Sequence, residues 1–399
     1  MMGLVLTAGG ARGAYQAGVL KRMGEIPRLK NKPSPFSIVT GASAGAISGA
    51  WIAAGSSDFN TCCDSLAQLW AQLQIHQVFR TDFQSVWNQS MGWVRDLTLG
   101  GRYGKNKAQS FLDFSPLRKH LETHIPFKNI QSSIDQNHLY AVALSATSYY
   151  SGSSFTFIQG RQGHPLWQKS RRVSIATELN VDHVWASCAI PVIFQPVLIE
   201  LPIGNYYFGD GALRLTHPCS PAIRLGASKV FAIGIRSQKA AQERAKTELL
   251  STPHPKPQMK APSLSQIFGV TLNSIFLDHL DTDLDHLKRM NDLLISYGIG
   301  IHEVSQTKEP MKIVKPLAIY PSIDLAQVAE TFHHKSPKFL RHFMDGLGHS
   351  KTQSADLMSY LLFDSSYTQA LIEIGYQDAS EKLPEIEEFL ADSSTYPDR

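Results

Sequence analysis

Within its first 54 residues the chain twice repeats one local pattern: a short apolar run, a turn of small residues, then a helix-like stretch. Leu4-Val5-Leu6-Thr7 leads into Ala8-Gly9-Gly10-Ala11-Arg12-Gly13, and a helix is expected from about Ala14 to Met23. Ser37-Ile38-Val39-Thr40 leads into Gly41-Ala42-Ser43-Ala44-Gly45, and a second helix runs on through Ala54. Short apolar runs that end in glycine and are each followed at once by helix are the grammar of an α/β sheet with helices on its faces.

Later segments extend that sheet. Leu139 to Thr147 reads as a central strand and Phe155-Thr156-Phe157-Ile158 as its neighbour. Val184 to Cys188 reads as a helix that stops before Pro191. Tyr206 to Ala212 reads as a strand delivering Asp210 at a glycine turn, and Lys229 to Ile235 as the last clear strand. Between them, Asp58 to Pro126 is a long segment of helical patches and many aromatics. The composition then changes: Thr252-Pro253-His254-Pro255-Lys256-Pro257 and Pro262 mark an exposed linker. Leu264 to Ser296 has helical periodicity, Leu317 to Pro321 reads as a short strand, and helices fill the rest up to a frayed tail at Ser393 to Arg399. The expected division is a domain over 1–237, a Pro-rich linker over 238–263 and a mostly helical C-terminal region over 264–399.

Composition sets limits on partners and compartment. The chain has 399 residues, 43% of them hydrophobic and 18% charged, enough to bury a large core. A net charge of +4 is too small to argue for nucleic acid but suits visits to an anionic membrane surface. Cys62, Cys63, Cys188 and Cys219 show neither C-x-x-C nor Cys/His metal spacing and read as free thiols. The N-terminus lacks a basic stretch and reaches Gly3 too early for a signal peptide. The Gly41 to Gly55 run is too short and too rich in small residues to span a bilayer. The expected location is cytoplasmic or peripheral to a membrane.

The sharpest chemical signal is Gly41-Ala42-Ser43-Ala44-Gly45, a G-x-S-x-G between strand and helix. In a nucleophile elbow the turn is so tight that small residues must flank the serine. Its hydroxyl then stands near the next helix N-terminus, where free N–H groups stabilise developing negative charge. The alternative is a Gly/Ala/Ser turn without chemistry. The glycine-rich first turn lets backbone N–H groups face a cleft, which suits an oxyanion or a phosphate. A dinucleotide fingerprint would need glycine where Ala8 stands and an acid ending the second strand, where Thr40 and Gly41 stand instead. Asp210-Gly211-Ala212 places a carboxylate at a strand end, a common turn whose weight comes from its combination with the other two signals.

In this order and in their surroundings, these motifs resemble the patatin-like phospholipases. The surroundings are Ala14 to Leu20, Ala186-Ser187-Cys188-Ala189-Ile190-Pro191 and Pro221 to Ala227, with further similarity to bacterial members over Asp278 to Leu293, Tyr360 to Asp364 and Ile372 to Tyr376. The resemblance implies a three-layer α/β/α domain with a mostly helical C-terminal extension. It also implies a Ser–Asp dyad without a catalytic histidine, Ser43 as nucleophile and Asp210 as base, with no metal or other cofactor. Backbone N–H groups around Gly9, Gly10, Arg12 and Gly13 would form the oxyanion hole, Gly41 and Gly45 would shape the elbow, and Gly211 and Ala212 the Asp turn. The substrate would be a phospholipid or lysophospholipid met by transient membrane contact, and no nucleic acid is expected. Ala8 departs from the family's usual three glycines, unfavourably if that position needs positive φ.

Other readings compete. An α/β-hydrolase triad would recruit His217 after Asp210; a plain loop histidine is the simpler account. Arg12 would either draw a phosphate headgroup or form an ion pair at a helix end. Trp87, Trp93 and Tyr103 with Arg95 and Arg102 would form either an interfacial patch or the core of a lid. His279, Asp281, Asp283, Asp285 and His286 read as a solvated helix face rather than a metal site. The same dyad would also serve an acyltransferase, and the fold alone a weakly active binding protein.

Overall fold

The structure, a computed structural model, describes residues 1–80, 112–202, 204–240, 246, 279–296, 312–335 and 351–391. The chain opens with β1 (Met2–Leu6), α1 (Gly13–Gly24), β2 (Ile38–Ala42), α2 (Ala44–Ala54), α3 (Phe59–Gln72) and the short α4 (Ile75–Val78). It continues with α5 (Ser115–His124), α6 (Lys128–Asp135), β3 (Ala141–Ser148), β4 (Ser154–Gly160), β5 (Gln168–Lys169), β6 (Arg172–Ala176) and α7 (Val181–Ser187). Then come β7 (Val197–Leu201), β8 (Gly204–Gly209), α8 (Ser220–Arg224), β9 (Lys229–Ile233), α9 (Leu280–Ser296) and β10 (Lys315–Ile319). Helices α10 (Leu325–Thr331), α11 (Lys351–Leu361), α12 (Ser365–Glu381) and α13 (Leu383–Ala391) complete the described chain.

The strands form one sheet in the order β10-β9-β1-β2-β3-β4-β6-β5, parallel from β10 to β3. Strand β4 turns antiparallel onto β3, and β8 pairs antiparallel with the end of β3 and carries β7 outward. Successive strand residues point to opposite faces, and the core divides accordingly. Leu4, Leu6, Val39, Val142, Leu144 and Phe231 pack on one side with α1, α2 and α3. Val5, Ile38, Ala143, Val230 and Ala232 pack on the other with Leu225, Leu280 and Leu284. Both faces of β1, β2, β3 and β9 are buried, which is why they read as unbroken apolar runs. The architecture is a three-layer α/β/α sandwich with a helical C-terminal region.

That C-terminal region is tied to the N-terminal elements. Strand β10 adds to the sheet beside β9. Helix α1 lies between the sheet and α12, and Gly18 and Gly375 let the two backbones meet: a Cβ on Gly18 would stand 2.0 Å from the Ile372 carbonyl oxygen, and one on Gly375 2.2 Å from that of Tyr15. The Tyr15 hydroxyl donates to Asp378 at 3.0 Å within this contact. The expected linker lies outside the described residues beyond Ala240 apart from Lys246, as does the expected tail.

Candidate active site

Strand register brings two distant residues together. Ala42, the last residue of β2, pairs with Ser145 of β3. On the same edge of β3, Gly209, the last residue of β8, pairs with Thr147 from the opposite direction. The residues that follow, Ser43 and Asp210, therefore meet head to head at the level of Ala146. Sequence reading recovered β8 only from Tyr206 onward and missed β7, so this convergence was not visible from the pattern.

Ser43 sits at the N-terminus of α2 with φ +53° and ψ −124°, a strained conformation for a non-glycine residue. Its surroundings hold it there. The Ser43 N–H donates to the Ser187 hydroxyl at 2.9 Å, and that hydroxyl donates to the Ser145 carbonyl at 2.6 Å. The Ser43 carbonyl accepts from Ala46 N–H at 2.8 Å and from Cys188 Sγ at 3.3 Å. Gly45 permits the turn: a Cβ there would lie 2.2 Å from the Leu6 carbonyl oxygen, and one on Gly41 would lie 2.1 Å from that of Gly45. Ser187 and Thr147 support the site but carry no motif of their own; Ser187 falls inside the Ala186 to Pro191 similarity and nothing more marks it.

Asp210 is fully buried. Its N–H donates to the Ala189 carbonyl at 2.8 Å, and its carbonyl accepts from the Thr147 hydroxyl at 2.8 Å. Oδ1 accepts from Ala212 N–H at 2.8 Å across the turn. The Ser43 hydroxyl lies near enough to the carboxyl to favour its charged form. No hydrogen bond of ordinary geometry joins the two, and Oδ2 has no partner among the described residues. Burial pushes the carboxyl up to about 7, while Ser43 and the Ala212 bond pull it down. A carboxyl poised near neutrality beside a serine is the arrangement a general base requires. Gly211 allows the fit, because a Cβ there would lie 2.2 Å from the Ser145 carbonyl oxygen.

The first turn stands alongside. Gly13 brings it against the elbow, where a Cβ would lie 2.8 Å from that of Ala44 and 2.6 Å from the Trp70 ring. The positive φ of the turn, +52°, falls on Gly10 rather than on Ala8, so alanine at position 8 carries no backbone strain. Gly9 is extended, and its carbonyl accepts from Arg12 N–H at 3.0 Å. Among the described residues no backbone carbonyl accepts from the N–H of Gly10 or Ala11. The Arg12 side chain turns away into α11 and is 3% exposed. It bonds Asp356 at 3.0 Å, Ser359 at 2.8 Å and the Tyr360 hydroxyl at 3.4 Å, with the guanidinium 4.2 Å above the Tyr360 ring. Of its two sequence readings the structure contains the ion pair, buried rather than superficial.

The other candidates lie apart. His217 is exposed; its ring pairs with the Thr216 hydroxyl at 2.9 Å, and it stands near His279 and Asp283. Asp283 is buried and accepts from Cys219 N–H at 2.8 Å, while Asp281 accepts from Gln238 at 2.7 Å. These acids cap and tether, and no group of three potential metal ligands forms among the described residues. All four cysteines are buried and none forms a disulfide. Burial first, and then Asp210, raises the Cys188 thiol, so it stays protonated beside the serine. No helix among the described residues is long and apolar enough to cross a membrane. Trp87, Trp93, Arg95, Arg102 and Tyr103 lie outside the described residues.

The family model described as patatin-like phospholipase matches residues 4–223. No curated protein matches the chain. Among solved structures, VipD from Legionella pneumophila is 13% identical with a TM-score of 0.32, covering 96% of this chain and 67% of its own. Human GIVD cytosolic phospholipase A2, solved with methyl gamma-linolenyl fluorophosphonate, is 10% identical with a TM-score of 0.40, covering 98% of this chain and 58% of its own. ExoU of Pseudomonas aeruginosa, in its heterodimeric complex with SpcU, is 14% identical with a TM-score of 0.26, covering 100% of this chain and 78% of its own.

Proposed function

The chain belongs to the patatin-like phospholipase family, and on that premise we propose that it hydrolyses fatty-acyl esters of phospholipids or lysophospholipids through a Ser43–Asp210 dyad. The observation that carries this reading is the meeting of a strained serine with a buried carboxyl that no cation among the described residues compensates, raised to about 7. In the proposed cycle the Ser43 hydroxyl attacks the acyl carbonyl and its proton passes to Asp210. The tetrahedral oxyanion faces the N–H groups of Gly10 and Ala11 and the N-terminus of α2. Collapse expels the lipid alcohol, which takes the proton back from Asp210 and leaves an acyl-serine. Water then attacks the acyl-serine and gives a proton to Asp210; collapse expels the Ser43 oxygen, which takes that proton back, and free fatty acid leaves.

The test is fatty-acid release from mixed phospholipid and lysophospholipid micelles, with chelator present. Ser43→Ala and Asp210→Asn should each lower kcat by about 10³-fold or more while folding normally, and His217→Ala should retain wild-type rate. Loss of activity in folded His217→Ala would replace the dyad with a triad. Acyl transfer to an added alcohol in preference to water would make the enzyme an acyltransferase on the same dyad. Folded wild type that releases nothing would remove constitutive hydrolysis.

A further inference from the structure

A cavity of about 520 Å³ opens between the β3–β4 turn and the β7–β8 hairpin, lined by Tyr149, Tyr150, Gly204, Asn205, Tyr206 and Tyr207. Of its lining residues Tyr149 reaches toward the dyad, at the end of β8. Tyr149 N–H donates to the Tyr207 carbonyl at 2.9 Å, which holds the turn against β8 just before Asp210. The Tyr149 hydroxyl lies over Gly209, where a Cβ would come within 2.3 Å of it. Burial first, and then the Asp210 charge, pushes that phenol up to about 12, so the hydroxyl stays neutral. The Tyr150 and Tyr206 rings stand 5.6 Å apart, inclined at 58°, as two walls of a corner. Tyr150 is 83% exposed, Tyr207 48% and Tyr149 42%.

The chemistry of this lining is selective. Four of its lining residues are tyrosines and one is an asparagine, and among the described residues none of them is ionised. A primary ammonium keeps a tight hydration shell that such walls do not replace, and an anion finds no cation there. A trimethylammonium group spreads its charge over methyl groups, sheds water easily and is drawn to aromatic faces. A cation stands beside the same turn rather than in the cavity: a Cβ on Gly152 would lie 3.7 Å from the Arg214 guanidinium, and Arg214 is exposed.

We propose that this tyrosine corner is a headgroup subsite for a quaternary ammonium, with Arg214 beside the turn taking the phosphodiester, so that a phosphocholine lipid presents its ester toward Ser43. The proposal rests on the hydrolase reading above and adds the class of headgroup to it.

The experiment has a kinetic arm and a binding arm. In mixed micelles with matched acyl chains, wild type should favour phosphatidylcholine over phosphatidylethanolamine by about tenfold in kcat/KM. Tyr150→Ala and Tyr206→Ala should each lower the phosphatidylcholine rate by about tenfold and leave the phosphatidylethanolamine rate within about twofold, while Tyr206→Phe, which keeps the ring face, should retain the preference. Equal losses on both lipids would overturn the proposal and mark the tyrosines as a general interfacial patch. The binding arm uses full-length Ser43→Ala with monomeric dodecylphosphocholine and dodecyl phosphate, followed by tyrosine fluorescence. The phosphocholine probe should bind about tenfold more tightly, and Tyr150→Ala should erase the difference. Equal affinity overturns the subsite. If wild type hydrolyses no lipid, the hydrolase reading falls and the binding arm alone decides the subsite.

Discussion

The elbow at Ser43 and the turn at Gly9 to Arg12 lie side by side, yet different parts of the chain hold them. The elbow is fixed by the sheet and by α7: Gly45 against the Leu6 carbonyl, Ser43 N–H on Ser187, and Asp210 between Ala189 and Thr147. All of these residues fall within the span 4–223 that defines the family. The turn is fixed from beyond position 350. A Cβ on Gly10 would lie 2.3 Å from the Tyr360 carbonyl oxygen, and Arg12 is bound by Asp356, Ser359 and Tyr360. Each region also buries a charge, in opposite ways. Burial works against the Arg12 cation, and Tyr360, Tyr367 and Asp356 more than offset it. Asp210 has no cation beside it among the described residues and rises toward neutrality. A compensated buried charge holds parts together; an uncompensated one is ready to exchange a proton.

The largest effect should come from breaking the compensated side. Arg12→Ala leaves Asp356 facing a void and removes the clamp between the first turn and α11, at a cost of about 3–5 kcal/mol. Denaturant unfolding measures it, and limited proteolysis should cut first near α11 rather than in the sheet. The double variant Arg12→Ala with Asp356→Ala should lose less than the sum of the two single changes. A wild-type unfolding midpoint in Arg12→Ala would show that the turn holds itself.

The uncompensated side should respond with the opposite sign. Asp210 is ordinarily a carboxyl near 3.8 and is raised to about 7 in the fold, so the unfolded chain releases its proton first as pH rises. Stability is free of this penalty below 3.8, falls between 3.8 and about 7, and carries the full penalty above. Asp210→Asn should therefore stabilise the protein at pH 8 by a few kcal/mol and change it little at pH 4, while abolishing activity. In wild type, kcat/KM should rise about tenfold per pH unit up to an apparent pKa close to 7 and then level off. A rate independent of pH between 5 and 8 would remove Asp210 as base.

How much of this was legible in the sequence follows the same divide. The elbow and the Asp210 turn are local: glycine spacing, small residues and flanking strands announce them within a few positions. Strand β7 was not legible because its alternation is masked; Leu198 points outward at 44% exposure in a run of apolar residues, so the period of two disappears from the letters. The partners of Arg12 were invisible for another reason: Asp356 lies 344 positions away, and no pattern in the first turn specifies it. Ala8 looked costly by motif, and the structure moves the positive φ to Gly10.

The smallest effect tests whether the elbow truly holds itself. Ser187 joins three elements by one hydroxyl, accepting from Ser43 N–H and donating to the Ser145 carbonyl. Ser187→Ala leaves both groups buried and unpaired, at a cost of about 1–3 kcal/mol. The loss should also reach the reaction. Ser43 occupies its strained φ because that N–H is anchored, so kcat should fall by roughly tenfold with KM almost unchanged. A change in KM alone would assign Ser187 to substrate contact. A drop in stability without a change in kcat would mean that the sheet and Gly45 suffice to aim the serine, and the elbow would then depend even less on its neighbours than the first turn depends on α11.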